Sequence, residues 1–213
     1  PSAQTQNPPA ADSTAADFAE DPADAVADSV PEPAPKTTET AETAANKESQ
    51  VTSSTSTPEL VILATPLAGW ADLPNAAQAG QMIFGGQPNE AVLSKFADQG
   101  GTTIVNLRTM GGFDKPSFDE QAFAKSLGLR YVHLPIAGAS MTSDDVQTLA
   151  KTLASADGQV MIHCASSNRV GALWAAYLAT ERNVDLETAI KAGKSAGMKN
   201  PALERAVRTL LGG

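Results

Sequence analysis

Four short apolar runs recur between residues 81 and 163 of this chain: Gln81–Phe84 (QMIF), Thr103–Leu107 (TIVNL), Tyr131–Leu134 (YVHL) and Gln159–His163 (QVMIH). Each is short for a helix and bounded by turn-forming or polar residues, which is the pattern of a buried strand. Segments of helical period lie between them. Asn89–Gln99 places Val92, Leu93 and Phe96 on one face, opens on a Pro88-Asn89 cap signal and stops at Gly100-Gly101. Ser117–Leu127 would turn Phe118, Ala122, Phe123 and Leu127 inward and end at Gly128. Thr142 and Asp145 stand at capping-box spacing ahead of a helix running to Ser155, with Asp where Glu or Gln is usual. Val170–Thr180, Asp185–Ala196 and Pro201–Leu211 read as three closing helices, and Glu59–Thr65 (ELVILAT) as a strand or an apolar strap. Such alternation predicts an α/β fold with a mostly parallel central sheet flanked by helices. Ligands of such sheets bind beyond the carboxyl ends of the strands.

Residues 1–58 follow different rules. They carry ten acids against Lys36 and Lys47, eight of the fourteen prolines, and Phe18 as their one aromatic. A segment with so little apolar surface cannot offset its ordering entropy, so a disordered acidic stalk is expected, followed by one domain over 59–213. Most of the net charge of −9 belongs to that stalk, since the other residues hold 14 acids and 13 bases. An Ala/Pro/Ser/Thr-rich stalk is common ahead of exported bacterial domains, and the first residue is Pro1. The expectation is therefore an exported protein, periplasmic or secreted, against the alternative of a truncated cytosolic chain.

Composition excludes several classes of function. No apolar run approaches the ~20 residues of a membrane-spanning helix. The acidic balance argues against a nucleic-acid partner. One cysteine, Cys164, and two histidines, His133 and His163, leave no disulfide framework and no metal cluster to build, so no metal and no cofactor are expected.

Chemistry is concentrated in Val160–Gly171 (VMIHCASSNRVG), where a strand ends, a short loop turns and a helix begins. That junction places Cys164 at the carboxyl edge of the sheet. Loop amides and a helix N-terminus form an anion pocket, and the dipole together with Arg169 favours the thiolate. A thiolate beneath an anion pocket is suited to attack phosphorus or to carry sulfur. Arg169 can hold two phosphate oxygens in its planar fork.

HCASSNRVG resembles the signature loop of cysteine-dependent phosphatases of the tyrosine and dual-specificity kind. The closer resemblance is to a small bacterial phosphatase-like family, related to the domain found beside beta-lactamase-like hydrolases and to phosphatase domains fused to NAD kinases. It covers roughly residues 80–180 and includes Gly86-Gln87-Pro88, Thr103–Arg108 (TIVNLR), Glu120 and Leu129–Pro135 (LRYVHLP) in the family's order. The resemblance implies a dual-specificity-phosphatase-like fold, Cys164 as nucleophile and Arg169 as phosphate clamp, with Ala165, Ser166, Ser167, Asn168 and Val170 completing the phosphate-binding loop. The partner so implied is a phosphorylated substrate or another small anion.

Three departures from that pattern matter. Four residues separate Cys164 from Arg169, where well-characterised phosphatases have five; rhodanese-type sulfurtransferases resemble the shorter spacing. Ser167 replaces the family's usual glycine, at a cost on the order of 1 kcal/mol if that position needs φ > 0. Val170 stands where many phosphatases have Ser or Thr. No aspartate occupies the expected general-acid position, which falls on Gly138; Asp144 and Asp145 are the nearest candidates, and read more readily as ordinary carboxylates at a helix N-terminus. Arg108 is expected either to touch substrate or to pair with Glu120 or Asp119. His163 is expected to orient the loop, His133 to be a satisfied strand residue, Trp174 and Tyr177 to be core, and Lys191, Lys194 and Lys199 to form a solvated face. Three functions fit these features: a phosphomonoester hydrolase working through a cysteinyl-phosphate, a sulfurtransferase carrying a persulfide on Cys164, and a non-catalytic anion-binding module.

Overall fold

A computed structural model describes residues 63–111 and 115–212. The acidic segment 1–58 and the first part of Glu59–Thr65 lie outside the described residues. In chain order the elements are β1 (Thr65–Pro66), β2 (Ala77–Ala79), β3 (Met82–Gly85), α1 (Glu90–Asp98), β4 (Gly101–Asn106), α2 (Glu120–Ser126), β5 (Arg130–His133), α3 (Ser143–Ala154), β6 (Gln159–His163), α4 (Asn168–Glu181), α5 (Leu186–Ser195) and α6 (Pro201–Leu210).

The strands form one sheet in the order β1-β2-β3-β6-β4-β5. β3, β6, β4 and β5 run parallel, and β1 and β2 add an antiparallel edge. The mostly parallel sheet expected from the alternation is present. The edge was not foreseen beyond a possible strand near Thr65, because Ala77-Gln78-Ala79 has no apolar bulk to announce it. What makes it is the tight turn at Gly80 (φ 57°), which folds Ala79 onto Met82.

Side chains alternate across the sheet as strand geometry requires. Phe84, Val105, Val160 and Ile162 face a core shared with α3, α4, α5 and α6. Ile83, Ile104 and Met161 face a second core under α1 and α2. Buried on all sides from Val170 to Leu178, α4 is the central helix, with Trp174 and Tyr177 stacked inside the core. Gly171 and Gly193 let α4 and α5 pack backbone to backbone; a Cβ at Gly171 would lie 2.5 Å from the Met198 nitrogen.

Local signals placed the helix starts. Asn89 accepts a hydrogen bond from the Val92 N–H, and Thr142 and Asp145 make the reciprocal capping box. One register differs from expectation. α2 begins at Glu120 because the Asp119 carboxylate caps the Ala122 N–H; Glu120 and Ala124 are the residues it buries, while Ala122 is exposed. No helix among the described residues is long and apolar enough to cross a membrane.

Candidate active site

The parallel strands β3, β6 and β4 end side by side, and the loop after β6 emerges at that carboxyl edge. Leu107 donates its N–H to the His163 carbonyl (2.9 Å) and Cys164 donates to the Gly85 carbonyl (3.3 Å), so both neighbouring strands grip the loop root. Cys164 is buried, and Ala165 and Ser166 are exposed. The strand-end residues of β3 pass close by. A Cβ at Gly86 would fall 2.8 Å from the Ala165 carbonyl oxygen, which itself accepts the Gln87 N–H at 3.3 Å.

Side chains brace the loop from the α5–α6 side. Asn168 Oδ1 accepts from the backbone N–H groups of Lys199 (2.7 Å) and Asn200 (2.9 Å), and its Nδ2 donates to Ser166 Oγ (3.2 Å). Asn75 Nδ2 donates to the Ser166 carbonyl (3.2 Å) while Lys199 Nζ donates to Asn75 Oδ1 (3.0 Å). Ser167 stands just ahead of α4 with φ 65° and ψ −3°, the left-handed conformation that a glycine would take without strain. It is fully buried, and its hydroxyl donates to the Ala196 carbonyl at 2.8 Å.

Arg169, in the first turn of α4, is half-buried. Its NH1 donates to the carbonyls of Ile136 (2.9 Å) and Leu107 (3.2 Å), beyond the ends of β5 and β4. It lines an open groove of about 600 Å³, together with Ser166, Asn168, Gly138, Asn200 and Leu203 among others. Thiol-bearing strand end, guanidinium and groove thus share one edge of the sheet.

Other expected residues fall elsewhere. Val170 turns its side chain into the core, leaving only its backbone for the loop. The Asp145 carboxylate is committed to the α3 cap, accepting from the Thr142 N–H and hydroxyl at 2.8 Å each, and Asp144 is exposed in the first turn of that helix. Neither lines the groove beside Arg169. Arg108 is buried and reaches Glu120 through Gln87. Its NH1 donates to Gln87 Oε1 (2.6 Å), and Gln87 Nε2 donates to Glu120 Oε2 (2.7 Å). His163 turns its ring to Glu120, with Nε2 2.6 Å from Oε1 and both side chains fully buried. His133 is satisfied by the Arg108 carbonyl (2.7 Å). Lys194 pairs with Glu204 at 2.9 Å.

Gln87 and Asn106 carry more of the site than their sequence signals suggested. Asn106 is buried, donates to the Tyr131 hydroxyl (2.7 Å) and accepts the Arg108 N–H (2.8 Å). An amide inside the apolar run TIVNL was the available clue. Burial pushes the Tyr131 hydroxyl up to about 12, with the Asn106 hydrogen bond opposing and the Glu120 charge reinforcing the shift.

Residues 81–181 match the family model of the beta-lactamase hydrolase-like protein, phosphatase-like domain. A beta-lactamase hydrolase-like protein of Xylella fastidiosa is 37% identical over 97 residues, which are 45% of this chain and 22% of that protein. The chain therefore matches under a quarter of that relative's length. Among solved structures, P. aeruginosa TpbA in complex with pTyr superposes with a TM-score of 0.56 at 18% identity, covering 75% of this chain and 92% of that one. Tk-PTP in its active form gives 0.55 at 18% identity, covering 64% and 96%. At that identity the likeness shows the fold, which is dual-specificity-phosphatase-like.

Proposed function

We propose, from the premise that residues 81–181 form a phosphatase-like domain of the beta-lactamase hydrolase-like kind, that this protein hydrolyses a phosphomonoester through Cys164. In this reading the Cys164 thiolate attacks phosphorus. The P–O bond to the leaving group breaks and a cysteinyl-phosphate forms. Water then attacks phosphorus, the S–P bond breaks, and inorganic phosphate leaves. Arg169 and the loop amides stabilise the charge on the transferring oxygens.

The observation that carries the reading is the fixed relation between thiol and guanidinium. The Cys164 N–H is held by the Gly85 carbonyl, the His163 carbonyl before it by the Leu107 N–H, and Arg169 is tethered by the Leu107 and Ile136 carbonyls at the rim of an open groove. A guanidinium is a planar fork of N–H donors whose geometry matches a pair of phosphate oxygens. Replacing it with a flexible ammonium keeps the charge and loses the fork.

The test is hydrolysis of para-nitrophenyl phosphate between about pH 5 and 8. Cys164→Ser is expected to abolish turnover, and Arg169→Lys to reduce kcat/KM roughly 100-fold. Activity that survives Cys164→Ser refutes the mechanism. The four-residue spacing between Cys164 and Arg169 favours one rival: attack of the thiolate on the outer sulfur of thiosulfate, with sulfite leaving and a persulfide remaining. Cyanolysable sulfur on Cys164, with no phosphate released from para-nitrophenyl phosphate, would put sulfur transfer in place of hydrolysis. An exported location belongs to the same proposal and is tested by cell fractionation.

A further inference from the structure

We propose that Asn75 and Lys199 are positioning residues for the loop between Cys164 and Arg169, fixing its path at Ser166 before a ligand arrives. This deepens the hydrolase reading and rests on that loop being where the phosphoryl group sits.

Ser166 is exposed on the loop and lines the groove beside Arg169, so polar contacts rather than burial set its path. Two side-chain amides supply them. Asn75 Nδ2 donates to the Ser166 carbonyl (3.2 Å), and Asn168 Nδ2 donates to the Ser166 hydroxyl (3.2 Å). Each amide is held through its oxygen by Lys199. The Lys199 ammonium donates to Asn75 Oδ1 (3.0 Å), and the Lys199 backbone N–H donates to Asn168 Oδ1 (2.7 Å), which also accepts from the Asn200 N–H (2.9 Å). Ser166, Asn75, Lys199 and Asn168 thereby close a ring of hydrogen bonds. The ring joins three separate pieces of chain: the connection between β1 and β2, the loop itself, and the turn between α5 and α6. Asn75 and Lys199 both lie outside residues 81–181.

Chemistry sets the direction of each bond. An ammonium and a backbone N–H can only donate, so both face amide oxygens. The two amide nitrogens are then left to face Ser166. Neither amide can flip without placing donor against donor. Asn75 stands at φ 54°, in the left-handed region that asparagine tolerates better than most side chains. Other anchors act on the neighbours of Ser166. Gly86 pairs with the loop as an isolated bridge, with the Gln87 N–H on the Ala165 carbonyl, and the Ser167 hydroxyl donates to the Ala196 carbonyl. The Ser166 carbonyl and hydroxyl are bonded within the ring.

A loop ordered in advance loses less freedom when a ligand binds, so the ring favours binding and orientation of the phosphoryl group. Asn75, Ser166 and Lys199 are all exposed, and surface substitutions usually change stability little. Loss of the ring should therefore be read in the loop and not in the melting temperature.

Asn75→Asp separates this role from a structural one. The aspartate keeps the Lys199 contact, now between opposite charges, and turns an acceptor toward the Ser166 carbonyl. The melting temperature is expected to hold while the loop is released. Nitrogen NMR relaxation of the full-length, ligand-free protein reads the loop directly. Backbone order parameters at Ser166 and Ser167 are expected at about 0.85 in the unaltered protein and about 0.6 in Asn75→Asp. Equal values in the two proteins overturn the proposal, whether or not either releases phosphate. Asn75→Gly accepts the same φ without strain and adds no charge. Its order parameters decide the matter where the aspartate variant does not fold. Its kcat/KM for para-nitrophenyl phosphate should fall roughly 10-fold, and an unchanged value overturns the positioning role. Lys199→Met should lower kcat/KM by itself and add little in the Asn75→Gly background. An equal loss in both backgrounds would assign the Lys199 charge a direct action on the substrate and overturn its place in the ring. If the unaltered protein releases no phosphate, the hydrolase reading falls and the order parameters alone decide this inference.

Discussion

Ser167 offers the sharpest test of the loop's energetics, because two effects of similar size oppose each other there. Its φ of 65° places a side chain in the left-handed region, at a cost on the order of 1 kcal/mol relative to glycine. Its buried hydroxyl donates to the Ala196 carbonyl at 2.8 Å, contributing about 1 kcal/mol. Ser167→Gly removes both, so its stability is expected within about 0.5 kcal/mol of the unaltered protein. Ser167→Ala keeps the strain and loses the hydrogen bond, and should cost about 1–2 kcal/mol. Gly197 extends the argument. It has φ 114°, and a Cβ there would fall 2.6 Å from Ser167 Cβ and 2.7 Å from Ser167 Oγ. Gly197→Ala should therefore cost about 3 kcal/mol, partly from backbone strain and partly from that collision. In the Ser167→Gly background the two close contacts vanish and the Ser167 carbonyl oxygen, at 3.1 Å, remains. The double variant should be about 1 kcal/mol or more better than the sum of the singles. Urea unfolding with unchanged m-values measures the unaltered protein and all four variants. Two results would refute the reasoning: Ser167→Gly destabilised as much as Ser167→Ala, or a strictly additive double variant.

Two further outcomes follow from the packing and the surface charges. Gly171→Ala should cost about 3 kcal/mol and lower the melting temperature by several degrees, because the new methyl meets the Gly193 carbonyl and the Met198 N–H rather than a movable side chain; a thermal melt within one degree of the unaltered protein would show that α4 and α5 can separate freely. Arg208 bonds Glu187 and Glu204 on the protein surface. The Arg208 hydrogen bond holds the Glu187 carboxyl below its usual range, and Lys194 followed by Arg208 does the same for Glu204. A depressed carboxyl contributes stability above its unfolded-state value and loses that contribution as pH falls through the folded one. The difference in stability between the protein and Arg208→Met should accordingly be present at neutral pH, shrink with added salt and disappear on acidification below the ordinary carboxylate range. An unfolding gap that persists in acid would assign Arg208 a packing role instead.

Much of the fold was legible because its signals are local. Asn89 and the Thr142–Asp145 pair cap helices through contacts within three residues, and the four apolar runs became the four parallel strands. The Cys164–Arg169 loop was legible for the same reason: a strand end, a thiol and an arginine at a helix start occupy ten consecutive residues. Even the strain at Ser167 could be anticipated from its place in the loop. Elements without a local signature were missed or shifted. β2 consists of small residues whose pairing depends on β3, and the register of α2 turned on whether Asp119 would serve as its cap.

The surroundings of the candidate site were decided at another level. Arg108 meets Gln87 across 21 residues, and Gln87 meets Glu120 across 33. No periodicity or spacing encodes such contacts, since they exist only once β3, β4 and α2 have docked at one edge of the sheet. By itself the sequence determined which residues have nucleophilic and anion-binding chemistry, and that they sit where a parallel strand hands over to a helix. Only the tertiary structure decided that Arg108 donates to Gln87, that Asp145 serves a helix cap, and that a buried carboxylate meets the His163 ring. Local backbone chemistry acts over a few residues, whereas the cost of burying a charge is settled by whichever distant partners packing brings to it.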